Sequence, residues 1–471
     1  MKVKARQWPM VAGLAVAIAI LGLGPVCLAE SKPAQNLTVD QAVQIAMANS
    51  LQRQLAQGDV RTARAKAGQA ASAYGPQVTL SGAYNHLNDP PDIVTVGRGL
   101  AQLNNSLKQI FAKSDSSYYQ YIASQMSEEE LPDDGLNYYG LQIHLAQPLY
   151  TGNKLTAANK QAQANESNAR ANLAAAENGL VMEVKKAYYT VLFTQRLEVT
   201  MEEAVASMEH HLAEANSYYK AGMVPKLDVM RAEVKLADLK QKQLLAQNNL
   251  NLARSAFNFV LGVDLSTVYV LNDQMSSAPL PQDLSSCQAR ALQNRPELAA
   301  AHAKVEMARQ AVAIAKSGKK PTVALVVDGH KIEPNNEAPS LTVGVVATMK
   351  LYDHGLVDQQ VAEAESVLQQ ANTGRELLER GVKLEVEQAY RNAEAALAAI
   401  QVAEKSLAQA QETLRMVEIS YQAGLSTSLE RIDAEVGLTQ AKNNYSQALS
   451  MYNIALAQLD RAMGKGKEDS K

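Results

Sequence analysis

The chain of 471 residues repeats itself, and no other feature restricts its fold as much. Tyr219-Lys220-Ala221-Gly222, followed by Leu227-Asp228, Ala232-Glu233-Val234 and Leu236, recurs as Tyr421-Gln422-Ala423-Gly424 followed by Leu429-Glu430, Ala434-Glu435-Val436 and Leu438, an offset of 202 residues. The correspondence continues without a gap to Leu261-Gly262 and Met463-Gly464, and upstream it takes in Leu149-Tyr150 and Leu351-Tyr352. Ala46, Asn49 and Pro76 pair instead with Ala291, Asn294 and Pro321 at an offset of 245, so the first copy carries 43 extra residues between Pro76 and Leu149. A duplication of this length implies two similar supersecondary units standing side by side. They are placed at 30–280 and 281–464, with 465–471 as a disordered tail.

The N-terminus reads as an export signal. Lys2, Lys4 and Arg6 precede an apolar run from Val11 to Leu23, and Cys27-Leu28-Ala29 ends it with small residues, so residues 1–29 are expected to be removed. Gly24-Pro25-Val26 is a poor lipobox, which argues against Cys27 as a lipidated N-terminus. Cys287 is then the only cysteine of the mature chain, and an intramolecular disulfide is impossible. No later stretch reaches the roughly 20 continuous apolar residues of a membrane-spanning helix, leaving a soluble envelope protein or one inserted as strands. A net charge of −3 and a pI near 6.2 give no support to a nucleic-acid partner.

Most of each copy reads as long helix. Ala389, Ala396, Ala403, Ala410 and Val417 alternate with Ala393, Ile400, Leu407, Leu414 and Tyr421 in sustained three-four spacing, the seam of a left-handed supercoil. Ala395, Ala398, Val402, Met416 and Ile419 place further apolar atoms off that seam, as a wall of helices requires and a two-stranded rod does not. No proline interrupts Gly355 to Tyr421, a span of about 100 Å as helix. Four short segments alternate instead with period two. They are Val78-Leu80-Tyr84, Leu141-Ile143-Leu145-Leu149, Val323-Leu325-Val327, and Leu341-Val343-Val345-Ala347-Met349-Leu351. Alternation alone fits lipid-facing strands or half-buried hairpins packed on helices. Two hairpins give only four strands, whereas membrane barrels need about eight or more, so a membrane role demands several chains.

At these residues the chain resembles the TolC-like outer-membrane efflux proteins of Gram-negative bacteria. The resemblance rests on the duplication, the Leu37-Thr38-Val39-Asp40-Gln41-Ala42 opening, Gln147-Pro148-Leu149-Tyr150-Thr151-Gly152 with its counterpart Leu351-Tyr352-Asp353-His354-Gly355, and the two Tyr-x-Ala-Gly motifs. It implies a mainly α fold with a small transmembrane β part. In a homotrimer, four strands per chain would build a 12-stranded barrel, and long coiled-coil helices would form a periplasmic tunnel. Shorter helices, the segment near Val263–Pro281 and the C-terminus would make a belt around it. Such a protein sits in outer-membrane lipid and serves as the exit duct for multidrug efflux or type I secretion, docked to a periplasmic adaptor and an inner-membrane pump or ABC transporter.

The same resemblance assigns residues. Gly222 and Gly424 become the periplasmic helix turns, with Leu227 and Leu429 beside them as the adaptor-docking surface. Glu430 and Asp433, three residues apart near a helix N-terminus, match the acidic positions that line the closed aperture. Solvated charge at a helix start is the reading these two residues invite on their own. Asp228 and Tyr421 match a hydrogen-bonded latch, and Ser426 stands where some members carry a basic brace, leaving Lys226 as the alternative. The extra residues of the first copy, about Asn88–Leu136, would form a long extracellular loop.

Enzymatic chemistry has no foothold. His210-His211 lacks the i, i+4 spacing of a helical zinc site and is expected at the surface. No glycine-rich phosphate loop and no nucleophile motif occur, Cys287 is expected in apolar packing, and no cofactor is implied. The competing reading is a periplasmic coiled-coil adaptor, for which the lipoyl-like β-domain and anchor are missing from the sequence.

Overall fold

The heptad seam fixes the dominant elements of the computed structural model, which describes residues 35–87, 136–271, 283–333 and 338–465 and a few positions between 271 and 283. The expected signal peptide, the inserted loop short of Leu136 and the tail beyond 465 lie outside the described residues. Each repeat unfolds as two short helices, a strand pair and two long helices. In the first these are α1 (Val39–Asn49), α2 (Leu51–Ser72), β2 (Gln77–Leu87), β3 (Leu136–Tyr150), α3 (Lys154–Lys220) and α4 (Lys226–Leu261), with β1 (Gln35–Leu37) ahead of them. After β4 (Tyr269–Leu271) the second contains α5 (Leu284–Asn294), α6 (Pro296–Ser317), β5 (Thr322–Glu333), β6 (Ser340–Thr348), α7 (Leu356–Gln422) and α8 (Ser428–Ala462). Corresponding helices have 11 and 11, 22 and 22, 67 and 67, and 36 and 35 residues.

At 1.5 Å per residue, α3 and α7 are each about 100 Å long, beyond the span of an ordinary domain. The seam between packed helices is alanine-rich. Ala389, Ala393, Ile400, Ala403 and Tyr421 are buried, while Leu407, Ala410, Leu414 and Val417 are half-buried. Helix α3 packs on α2, α4, α6 and α8, and α7 packs on α5, α6 and α8. The repeats are therefore joined by α3 on α6 near the sheet and by α3 on α8 toward the turns, and again through the pairing of β3 with β5 in the sheet.

The main core lies at mid-length. There α1 sets Ala42, Ala46 and Met47 against Val184, Tyr188 and Leu192 of α3, beside Phe257 and Tyr452. Thr38 and Gln41 close a capping box that starts α1. The Tyr188 hydroxyl lies 2.9 Å from both Leu37 O and Asp273 Oδ2 and shares its proton between them, and Asp273 also accepts Val39 N at 2.8 Å, which ties the parallel β1–β4 pair to the long helix. Its pseudo-symmetric counterpart packs Cys287 and Ala291 of α5 on Val382 and Val386 of α7, so the apolar packing expected for Cys287 is observed. The duplicated glycines have a steric reason. A Cβ on Gly262 would meet Asn49 at 3.1 Å and one on Gly464 would meet the Asn294 backbone at 2.8 Å, so the end of each second long helix docks on the end of its short helix.

Four strands form one antiparallel sheet in the order β2-β3-β5-β6. Register places Val78, Leu80, Leu141, Ile143, Leu341, Val343 and Val345 on one face, where Leu80 is 71% and Val343 63% exposed. The opposite face carries Thr79, Ser81, Gln142, His144, Asp328, His330 and Thr342, with His144 and Asp328 paired at 2.6 Å. Exposed tyrosines border the apolar face at both levels: Tyr74, Tyr150 and Tyr352 at the helix side, Tyr84 and Tyr139 away from it. Strands β2 and β6 have free edges within the chain. No described helix is long and apolar enough to cross a membrane.

Candidate functional site

At the end of the long helices opposite the sheet, the two hairpin turns share one geometry. Gly222 has φ +71° and Gly424 φ +72°. Met223 N donates to Tyr218 O at 2.9 Å and Gly222 N to Tyr219 O at 2.9 Å, and Leu425 and Gly424 repeat these bonds to Ser420 O at 2.8 Å and Tyr421 O at 3.0 Å. This pattern satisfies the last carbonyls of each helix and requires a left-handed residue, which glycine adopts without strain. Around the turns Met223, Leu227, Leu425 and Leu429 stay exposed.

The restarts differ between repeats. Helix α4 begins after Pro225, whereas α8 begins with a capping box: Glu430 N donates to Thr427 Oγ1 at 3.2 Å and Thr427 N to Glu430 Oε2 at 2.7 Å. Ser426 Oγ donates to the same carboxylate at 2.6 Å, and these bonds hold the Glu430 pKa below the usual carboxylate range. Ser426 thus binds the acid beside it. Asp433 is exposed one turn along α8.

The expected Asp228–Tyr421 hydrogen bond is not formed in this conformation. Asp228 lies 3.7 Å from Arg231, and the buried Tyr421 hydroxyl has no hydrogen-bond partner. The cause is that the Tyr421 ring belongs to a cluster between α3 and α8. It meets the rings of His211 at 5.5 Å and Tyr218 at 6.0 Å, and the Arg431 guanidinium lies over it at 5.4 Å. Burial raises the Tyr421 pKa, and the charges of Glu214 and Asp228 add to the rise.

His211 corrects the expectation of a surface histidine pair. Its residue is 0% exposed, Nε2 lies 3.0 Å from Ser428 Oγ, and Nδ1 has no partner; His210 alone is exposed. Burial first, then the Arg431 charge, brings the His211 pKa down to about 4. Arg431, itself buried, pairs with Glu214 of α3 and lies 3.5 Å from Glu435, whose Oε1 accepts Ser207 Oγ at 3.2 Å. These residues escaped sequence reasoning because adjacency of α3 and α8 is a tertiary fact. One signal was present. At the 202-residue offset Arg431 replaces Val229, which is equally buried in the first repeat, so a charge stands where the duplicate has a core residue.

The family model of the outer membrane efflux protein matches residues 42–263 and 288–465. The chain belongs to the outer membrane efflux protein family. Among relatives, the outer membrane protein TolC of Vibrio cholerae is 26% identical over 336 residues, covering 68% of this chain and 76% of that protein. The channel CusC superposes with a TM-score of 0.75 at 16% identity, over 92% of this chain and 93% of CusC. The outer membrane protein VceC of Vibrio cholerae does so at 0.73 and 18%, over 91% and 96%. This efflux protein therefore resides in the outer membrane, with its long helices as a periplasmic tunnel and its sheet as the small β part. The match decides for an outer-membrane exit duct over a periplasmic adaptor. Among the described residues no cluster of His, Cys, Asp and Glu is built for a metal ion.

Proposed function

We propose that three copies of the chain close their sheets into one 12-stranded barrel and their helices into one tunnel, through which substrates of an inner-membrane transporter leave the cell. The observation that carries this reading is the sheet. Its apolar face is exposed and bordered by tyrosines as lipid-facing strands are, yet β2 and β6 leave unpaired edges that lipid does not tolerate. Strands of 9 to 15 residues are long enough to cross a bilayer when tilted. Val402, Met416 and Ile419 on α7, exposed in one chain, offer a second packing face to a neighbouring copy.

In this assembly the turns at Gly222 and Gly424 form the periplasmic end and, with exposed Leu227 and Leu429, the surface for a periplasmic adaptor. Glu430 and Asp433 from three chains surround the axis there as a ring of six carboxylates, and the Asp228–Tyr421 region sets how readily the helix pairs part. Substrate choice is assigned to the transporter; the CzcC relative from Cupriavidus metallidurans is named for cobalt-zinc-cadmium resistance. The test is crosslinking of detergent-extracted outer membranes. A heat-modifiable species at three times the chain mass is expected, and a ladder ending at monomer or dimer overturns the proposal.

A further inference from the structure

A cavity of about 230 Å³ opens where all four long helices meet, one to two turns above the Tyr421 cluster. Ser207 and Met208 of α3, Leu239 of α4, Leu414 of α7, and Glu435 and Lys442 of α8 line it. The residues that line it make one charge conspicuous. Glu435 is only 7% exposed, its Oε1 is engaged by Ser207, and its Oε2 has no hydrogen-bond partner. Burial raises the Glu435 pKa, the expected response of a carboxylate short of compensation.

Counting charges around it locates the shortage. Arg431 is the cation within reach, and it is shared between Glu214 and Glu435. Lys442 at the rim is held by Glu203 at 2.7 Å. His211, with its pKa near 4, adds no charge at neutral pH. One buried positive charge thus faces the carboxylates of Glu214 and Glu435, the charge of Glu418 is also felt at Glu435, and a buried carboxylate left unpaired is costly. An anion is excluded by the sign. A metal ion is disfavoured because only one carboxylate oxygen is free and no multidentate set exists among the described residues. The remaining wall, Met208, Leu239 and Leu414, asks for hydrocarbon.

We propose that this cavity binds a small amphiphilic ammonium ion, its nitrogen beside the Glu435 carboxylate and its apolar body against Met208, Leu239 and Leu414. Such a ligand bridges the α3–α4 and α7–α8 pairs and completes the charge balance between the two repeats.

Binding of phenethylamine to the full-length protein in detergent, followed by calorimetry and ligand-detected NMR, tests this directly, with 2-phenylethanol as the uncharged analogue. One amine per chain is expected, with the alcohol at least about tenfold weaker, since hydrogen bonds to a charged partner exceed neutral ones by that margin. Glu435→Gln should reduce the amine to the affinity of the alcohol. Ala204→Phe, which fills the cavity from α3 without altering any charge, should weaken both ligands and guards against a folding defect in the first variant. Equal affinity for amine and alcohol, undiminished amine binding in either variant, or no binding to the unaltered protein overturns the proposal. The readout is binding alone, so it stands or falls independently of trimer closure and gating.

Discussion

Replacing Arg431 with valine, the residue at the equivalent position 229, asks whether the α3–α8 cluster holds the helix pairs together near the turns. The Arg431 side chain is 7% exposed, pairs with Glu214 and Glu435, and covers the Tyr421 ring at 5.4 Å. Its loss strands two carboxylates in the contact, and breaking a buried ion pair by removing one partner costs about 3–5 kcal/mol. Glu214 is 28% exposed and recovers part of its hydration, so the lower figure of about 3 kcal/mol applies. At 1.4 kcal/mol per tenfold, the separated form gains roughly 100-fold over the packed one. Hydrogen exchange of the amides in 205–221 and 424–440 should accelerate by a comparable factor, and conductance in planar bilayers should rise. Adding Glu214→Ala and Glu435→Leu removes the stranded charges, and apolar replacement of a whole buried ionic group is commonly close to neutral, so protection should largely return. Wild-type protection in the single variant, or a triple variant no better than the single, refutes the reasoning.

Glu430→Gln with Asp433→Asn is expected to weaken block by multivalent cations added from the periplasmic side and to lower cation preference, because crowded carboxylates attract cations; single-channel recording checks it, and full block retained removes these acids from the aperture. Tyr421→Phe is expected to change the open fraction little, because the hydroxyl it removes is buried without a partner; a marked rise in opening would restore the latch with Asp228. Acidification is expected to loosen the α3–α8 contact: packed His211 has its pKa brought down to about 4 by burial, an exposed one sits near 6.5, so the separated form takes up the extra proton and packing weakens as pH falls from about 6.5 toward 4. At pH 5 the loss should be on the order of 1–2 kcal/mol by hydrogen exchange and absent in His211→Gln, while Glu435, its pKa raised by burial, acts in the opposite sense in both proteins. Gly464→Ala should lower the melting temperature more than Gly424→Ala, since both need positive φ but only the former drives a Cβ to 2.8 Å from the Asn294 backbone.

What the sequence could disclose followed from interactions local along the chain or copied between the repeats. Seam residues such as Ala393, Ile400 and Ala403 are buried as their spacing predicts, because a long helix projects its period onto one neighbour whatever that neighbour is. Strand alternation at Val78-Leu80 and Leu341-Val343-Val345 survived for the same reason, though only the sheet order shows that the apolar face is left open in one chain. Glu430 is legible as an acid at a helix start, and the Thr-x-x-Glu spacing encodes its capping bonds with Thr427, whereas the added bond from Ser426 is visible only in the folded turn.

The polar contact between α3 and α8 was invisible for a different reason. Ser207, His211 and Glu214 occupy one face of α3, and Ser428, Arg431 and Glu435 one face of α8, so each set alone reads as an ordinary solvated stripe. Their partnership depends on the second repeat being set against the first with α8 beside α3, an arrangement with no counterpart inside either repeat. The duplication that makes the architecture readable therefore also marks where it must fail: contacts within a repeat are written twice and can be cross-checked, whereas contacts between repeats are written once. Departures from the internal symmetry, such as Arg431 for Val229, are then the places where inter-repeat chemistry is encoded. In this chain that departure falls on the contact between the two helix pairs, beside the turns, where in the proposed assembly their separation would open the duct.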